Sequence, residues 1–165
     1  MCLNIGEQIV SDYLKCIEKC SVVDTGVALG RNGGELDVIG FLERKVYFCE
    51  VAVHLNGLRY TNNGGTKENI KKKFRAIQSF ADEKYAKSKY NHIFQFWSPV
   101  VKNGVVDDLR EVAKDLKREG INLKLVINED FRDSLIKIKE FTSDKKSELK
   151  SPVLRLFQIE THIHI

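Results

Sequence analysis

Along the start of the chain the apolar residues Ile5, Ile9, Tyr13, Leu14 and Ile17 recur at helical spacing. That spacing predicts an amphipathic helix from Asn4 to about Cys20, with Asn4 as its N-cap. Ser21–Leu29 is valine-rich and predicts a strand, and Arg31-Asn32-Gly33-Gly34 predicts the turn of a hairpin. Leu36–Leu42 and Lys45–Leu55 predict two further strands, broken at Glu43-Arg44. The segment 56–66 carries too much Gly and Asn for regular structure and predicts an exposed loop. Thr66 should then cap a helix reaching about Lys89, with Ile70, Phe74, Ile77 and Phe80 (and Ala81) as its buried stripe. Beyond it the pattern predicts a strand at Ile93–Trp97, a helix at Val105–Glu119, a strand at Asn122–Ile127 and a helix at Asp130–Phe141. Thr142–Ser151 is polar and lysine-rich, which predicts a mobile link. Val153–Ile165 alternates, which predicts a final strand.

This order predicts an α/β fold with a mixed β-sheet: an antiparallel meander of three strands, then a crossover, with helices flanking the sheet. An αβββαβ core over about 4–97 would be followed by a C-terminal αβαβ extension over 98–165. The length of 165 residues fits a single domain with a real core. No apolar run approaches the ~20 residues that span a bilayer. Asn4, Glu7 and Asp12 near the start do not suit a signal peptide, so the expectation is a cytoplasmic protein without a membrane partner. Cys2, Cys16, Cys20 and Cys49 lack CxxC spacing and read as reduced core residues rather than zinc ligands.

Charge sharpens the picture locally. The net charge is only +4, yet Lys67–Lys89 holds eight basic residues against three acidic ones, a local excess larger than that of the whole chain. Lys67, Lys71 and Arg75 follow one another at i, i+4 and i+8, a face that can track a phosphate backbone or simply be solvated.

The candidate chemistry lies in the hairpin. An Asp near a turn is usually a turn residue, and a Glu in a strand usually faces water. Glu50, however, sits among Phe48, Cys49, Val51 and Val53 in the most apolar strand, where a carboxylate is costly without a partner or a metal. Antiparallel pairing puts Asp37 at a comparable height. Alternation would place Glu50, Ala52 and His54 on one face, where His54 is either a phosphate ligand or base, or a plain polar strand end. No Gly-rich phosphate loop follows a strand, and no Ser/His/Asp grouping suggests a small-molecule enzyme.

Gly34-Glu35-Leu36-Asp37-Val38-Ile39 followed by Val46-Tyr47-Phe48-Cys49-Glu50-Val51-Ala52 resembles the motif of the PD-(D/E)xK nucleases, the restriction-endonuclease-like superfamily. The pattern is nearest to Holliday-junction resolvases and YraN-like small nucleases. Gly6-Glu7 with Tyr13-Leu14, and Gly64-Gly65-Thr66 with Lys71-Lys72-Lys73-Phe74, extend the resemblance over Ile5–Trp97. It implies a metal-dependent endonuclease acting on DNA (RNA second), with Mg²⁺ or Mn²⁺ on Asp37, Glu50 and the Val51 carbonyl. Glu7 would approach from the first helix, and Lys67, Lys71, Arg75 and His54 would contact nucleic acid. Tyr60 and Arg59 in the loop are further candidates for base contacts.

The family lysine is replaced by Ala52, which can neither bind metal nor stabilise charge. A displaced lysine (Lys45 or Lys71), an engineered loss, or a non-catalytic binding module in a defence or repair complex would each account for it. Leu154–Ile165 offers a strand edge for a homodimer.

Overall fold

The computed structural model describes residues 4–30, 34–54 and 65–163. The elements run α1 (Ile5–Cys16), β1 (Val22–Ala28), β2 (Glu35–Leu42), β3 (Lys45–Val51), α2 (Gly65–Lys84), β4 (Asn91–Ser98), α3 (Asn103–Arg118), β5 (Leu123–Ile127), α4 (Glu129–Ser143) and α5 (Pro152–His162). The protein is α/β, built on one five-stranded mixed sheet in the order β1-β2-β3-β4-β5. β1–β2 and β2–β3 pair antiparallel, whereas β3–β4 and β4–β5 pair parallel. The meander and crossover follow from connection length: two residues join β2 to β3, while the helices α2 and α3 carry the chain back between parallel strands.

Strand alternation sorts the core into two layers. Val46, Phe48 and Ala52 face Ile70, Phe74 and Ile77 of α2 and Leu109, Val112 and Leu116 of α3. Tyr47 and Cys49 face Val10 and Leu14 of α1, Phe131 and Ile138 of α4, and Leu154 of α5. Asn4 caps α1 as its sequence predicts, its side chain accepting from the Gly6 and Glu7 amides at 3.1 and 3.5 Å. Among the described residues no helix is long and apolar enough to cross a membrane.

Several boundaries differ from the pattern. β3 stops at Val51, four residues short of the expected end; the Ala52 amide closes the ladder on the Trp97 carbonyl of β4, and the Ala52 carbonyl accepts from the Ser98 side chain. α2 opens at Gly65, so Thr66 lies inside its first turn, and it ends at Lys84 rather than Lys89. The turn at 31–33 and the loop over 56–64 lie outside the described residues.

The chief correction is at the C-terminus. Pro152–His162 is a helix, not a strand, so the extension is αβαα and Leu154–Ile163 offers no strand edge for a homodimer. The Ile159-Glu160-Thr161-His162-Ile163 alternation is real, but it is outweighed by the first turns. There Pro152 at N1 starts a helix, and Val153, Leu154 and Phe157 meet the α1/α4 layer at helical spacing. The polar 144–150 link is held as well: the buried Gln158 donates to the Lys145 and Ser147 carbonyls at 2.8 Å each and accepts from the Leu149 amide.

Candidate functional site

Asp37 stands near the start of β2 and Glu50 near the end of β3. Val38 pairs with Cys49, so antiparallel register sets the two acids opposite each other one step further on. The Asp37 carboxylate (Oδ2) accepts from the Val51 amide at 2.6 Å, which fixes it at the strand end.

The first helix closes on the same place because position 6 is glycine. A Cβ there would stand 2.0 Å from the Val53 Cγ2 methyl and 3.0 Å from Val51 Cγ1. Glu7, next to it, is held by Asn4, whose side-chain amide donates to the Glu7 carboxylate. Glu7 and Asp37 lie close enough for each carboxylate at the site to bear on its neighbour: burial first, then the Asp37 charge, pushes the Glu7 pKa up.

Glu50 points into the α2/α3 layer, against a cavity of about 220 Å³ lined by Asn69, Ile70, Lys73, Phe74 and Phe96. Its Oε1 lies 3.2 Å from the Lys73 ammonium, while its Oε2 is buried with no hydrogen-bond partner among the described residues. Burial, and then the Asp37 charge, push the Glu50 pKa up to about 8, although Lys73 pulls the other way. The Asp37 pKa is also raised by burial, against the opposing pull of the Val51 amide and Lys73. The group is therefore short of positive charge, with one cation facing several carboxylates.

Lys73, which the sequence pattern does not single out from its lysine run, is the cation that meets Glu50. It donates to the Glu35 carbonyl as well as meeting Glu50, and so bridges the Asp37 and Glu50 strands. Helical phase contains the signal. At ~100° per residue, Lys73 falls on one flank of the Ile70/Phe74/Ile77 stripe, while Lys67, Lys71 and Arg75 fall on the other.

Those three cations face α3. Lys67 pairs with Asp108 and Glu111 at 2.9 and 2.6 Å, Lys71 with Asp115 at 2.7 Å, and Arg75 with Glu119 at 2.7 Å. They form a ladder between helices rather than a free phosphate track. Lys71 thus does not reach Glu50. Nor does Lys45, which opens β3 five residues earlier with odd parity, roughly 17 Å along the strand and on the other face.

Ala52 is buried on the Glu50 side of the sheet, and its carbonyl accepts from Ser98 Oγ at 2.8 Å. His54 lies past the strand end and is exposed. Tyr60 and Arg59 lie outside the described residues.

Among the described residues, no three His, Cys, Asp or Glu side chains form a ready-made metal cage. Asp37 and Glu50 remain, the latter with one buried oxygen that has no hydrogen-bond partner among the described residues. That set suits Mg²⁺, which commonly takes one or two protein carboxylates and completes its shell with water and substrate phosphate. Compared with known proteins, the chain matches no family model, no curated protein and no solved structure.

Proposed function

We propose that the chain is a metal-dependent nuclease of the PD-(D/E)xK type acting on DNA, in which Lys73 supplies the cation that Ala52 cannot. The observation that carries this reading is the Glu50 carboxylate itself. One of its oxygens meets the Lys73 ammonium at 3.2 Å, and the other is buried with no hydrogen-bond partner among the described residues.

A burial this costly is retained where the carboxylate has work to do. Asp37 and Glu50 would hold Mg²⁺ or Mn²⁺, with the Val51 carbonyl adjoining. The bound ion would neutralise phosphate charge and lower the pKa of a water nucleophile. Asp37 is oriented for this by the Val51 amide, and Glu7 adds a third negative charge from α1. Lys73, on the rigid α2, would hold a scissile phosphate by charge and steady the charge that develops on it. Its bond to the Glu35 carbonyl keeps the ammonium at the strand end.

The test is Mn²⁺-dependent cleavage of single-stranded, duplex and branched DNA by the chain and three variants. Activity is expected from the chain and lost in Glu50→Gln. Lys73→Ala should lower it by about 100-fold or more, the scale of removing one oriented charge donor. Ala52→Lys combined with Lys73→Ala should restore part of that loss, because position 52 lies on the Glu50 side of the sheet. Cleavage indifferent to Lys73→Ala and Glu50→Gln would overturn the reading. Metal binding without cleavage by any form would leave a non-catalytic binding module instead.

A further inference from the structure

A wide concavity lies at the opposite end of the sheet from Glu50. It holds about 570 Å³ and is built by three turns and the start of β4. The β2–β3 turn contributes Arg44, the α2–β4 turn contributes Lys87, Lys89 and Tyr90, and the α3–β5 turn contributes Asn122. The turns are fixed to one another. The Asn91 amide donates to the Arg44 carbonyl at 2.7 Å, and the Lys89 and Tyr90 amides donate to the Ala86 carbonyl at 2.8 and 3.1 Å.

Among the described residues, three cations and no carboxylate line this groove. Lys87 leans toward Asp82 at 3.7 Å, but Arg44 and Lys89 have no ion-pair partner among the described residues. This differs from the α2–α3 ladder, where each cation already meets an acid. Phe94 and the buried His92 form part of the lining, and Tyr90 is held edge-on against Tyr85 with ring centroids 6.0 Å apart. The His92 ring meets the Tyr85 carbonyl through Nε2 and leaves a buried Nδ1 with no hydrogen-bond partner among the described residues, 3.8 Å from Asp82.

We propose that this groove binds a phosphorylated ligand of mononucleotide size, with Arg44 and Lys89 on the phosphate and Tyr90 beside the ring. Its volume falls in the roughly 300–1,000 Å³ range of small-molecule sites. The guanidinium fork and the ammonium match phosphate oxygens, Arg44 by paired hydrogen bonds and Lys89 as a point charge. An aromatic ring with side-chain amides (Asn91, Asn122) nearby suits a planar base. The same chemistry is presented by a free nucleotide and by the phosphorylated end of a strand. The site does not rest on the acidic-site reading: Lys45 and Glu50 mark opposite ends of β3, roughly 17 Å apart.

Isothermal titration calorimetry of the metal-free chain tests it with adenosine 5′-monophosphate, adenosine, and a 5′-phosphorylated oligothymidylate beside its unphosphorylated form. The nucleotide should bind at submillimolar concentration and adenosine about tenfold more weakly, since the phosphate carries the charge-assisted contacts. Arg44→Ala with Lys89→Ala should weaken binding by about tenfold or more, whereas Glu50→Gln and Lys73→Ala should leave it unchanged. Should the first pair fail to fold, Lys87→Ala with Lys89→Ala leaves the β2–β3 turn intact and carries the same expectation. If only the phosphorylated strand binds, with the same dependence on these residues, the ligand is a strand end. No binding of any phosphorylated probe at millimolar concentration overturns the proposal. So does binding that survives both double variants, equal affinity for adenosine, or loss of binding in Glu50→Gln.

Discussion

Glu50 carries a free-energy penalty that its neighbours only partly offset. Once ionised, its carboxylate has one buried oxygen with no partner among the described residues; Lys73 stabilises the charge, while Asp37 opposes it. Glu50→Gln removes the charge and keeps the shape. Near pH 9 without divalent ions it should therefore raise stability by about 1–3 kcal/mol, measured by urea unfolding, while abolishing metal-dependent cleavage. If Glu50 and Lys73 were merely a structural ion pair, the same change would destabilise the protein. Gly6 makes the companion case. Gly6→Ala sets a methyl into Val53 Cγ2, so Val53 or the start of α1 must shift, at a cost of about 1–3 kcal/mol. Because Glu7 moves with α1, activity should fall by more than that loss of stability explains, which a cleavage assay well below the melting temperature would show.

One helix separates two kinds of lysine. On α2, Lys71 meets Asp115 across to α3, while Lys73 meets Glu50. Lys71→Ala should cost little stability and leave cleavage intact. Lys73→Ala should do the reverse, and the pair can be compared in one unfolding and one cleavage experiment. The run Lys71-Lys72-Lys73 was visible in the sequence as charge, but which lysine faces the sheet depends on helical phase against a stripe of four apolar residues. The juxtaposition of the acids was legible for a stronger reason: a two-residue turn between β2 and β3 fixes the register, and Asp37 and Glu50 fall opposite each other. The α5 helix was hidden because its last residues alternate, while its burial is decided by Val153 and Leu154 in the first turn and by Gln158 just before the alternating stretch. Gln158→Ala removes contacts to Lys145, Ser147 and Leu149 at once, for an expected loss of about 1–3 kcal/mol. Hydrogen exchange should rise across 144–150 first.

The sheet gives the protein two unlike ends. At the end formed by β2's start and β3's finish, half-buried acids gather around Lys73; at the other, Arg44, Lys87 and Lys89 line a groove with no carboxylate among the described lining residues. The acidic end makes stability depend on pH in a defined direction. Glu50 titrates near 4.5 when unfolded and near 8 when folded, so between those values the folded chain holds a proton that the unfolded chain has released. The slope of unfolding free energy with pH is then negative. The contribution is fully present below pH 4.5 and is lost as pH rises through 8, by on the order of a few kcal/mol. Asp37, Glu7 and Asp12, all shifted upward chiefly by burial, act in the same sense. The lowered values of Asp115 and Glu119 act in the opposite sense, but below their unfolded values and outside the window. A melting series from pH 5 to pH 9 in chelator should therefore fall toward the alkaline end. Adding Mn²⁺ at pH 8.5 should recover part of the loss, because an ion that binds the ionised acids stabilises only the folded state. A flat series would show that Glu50 is not titrating late. A falling series that Mn²⁺ does not lift would leave the buried charge in place and remove the metal from its explanation.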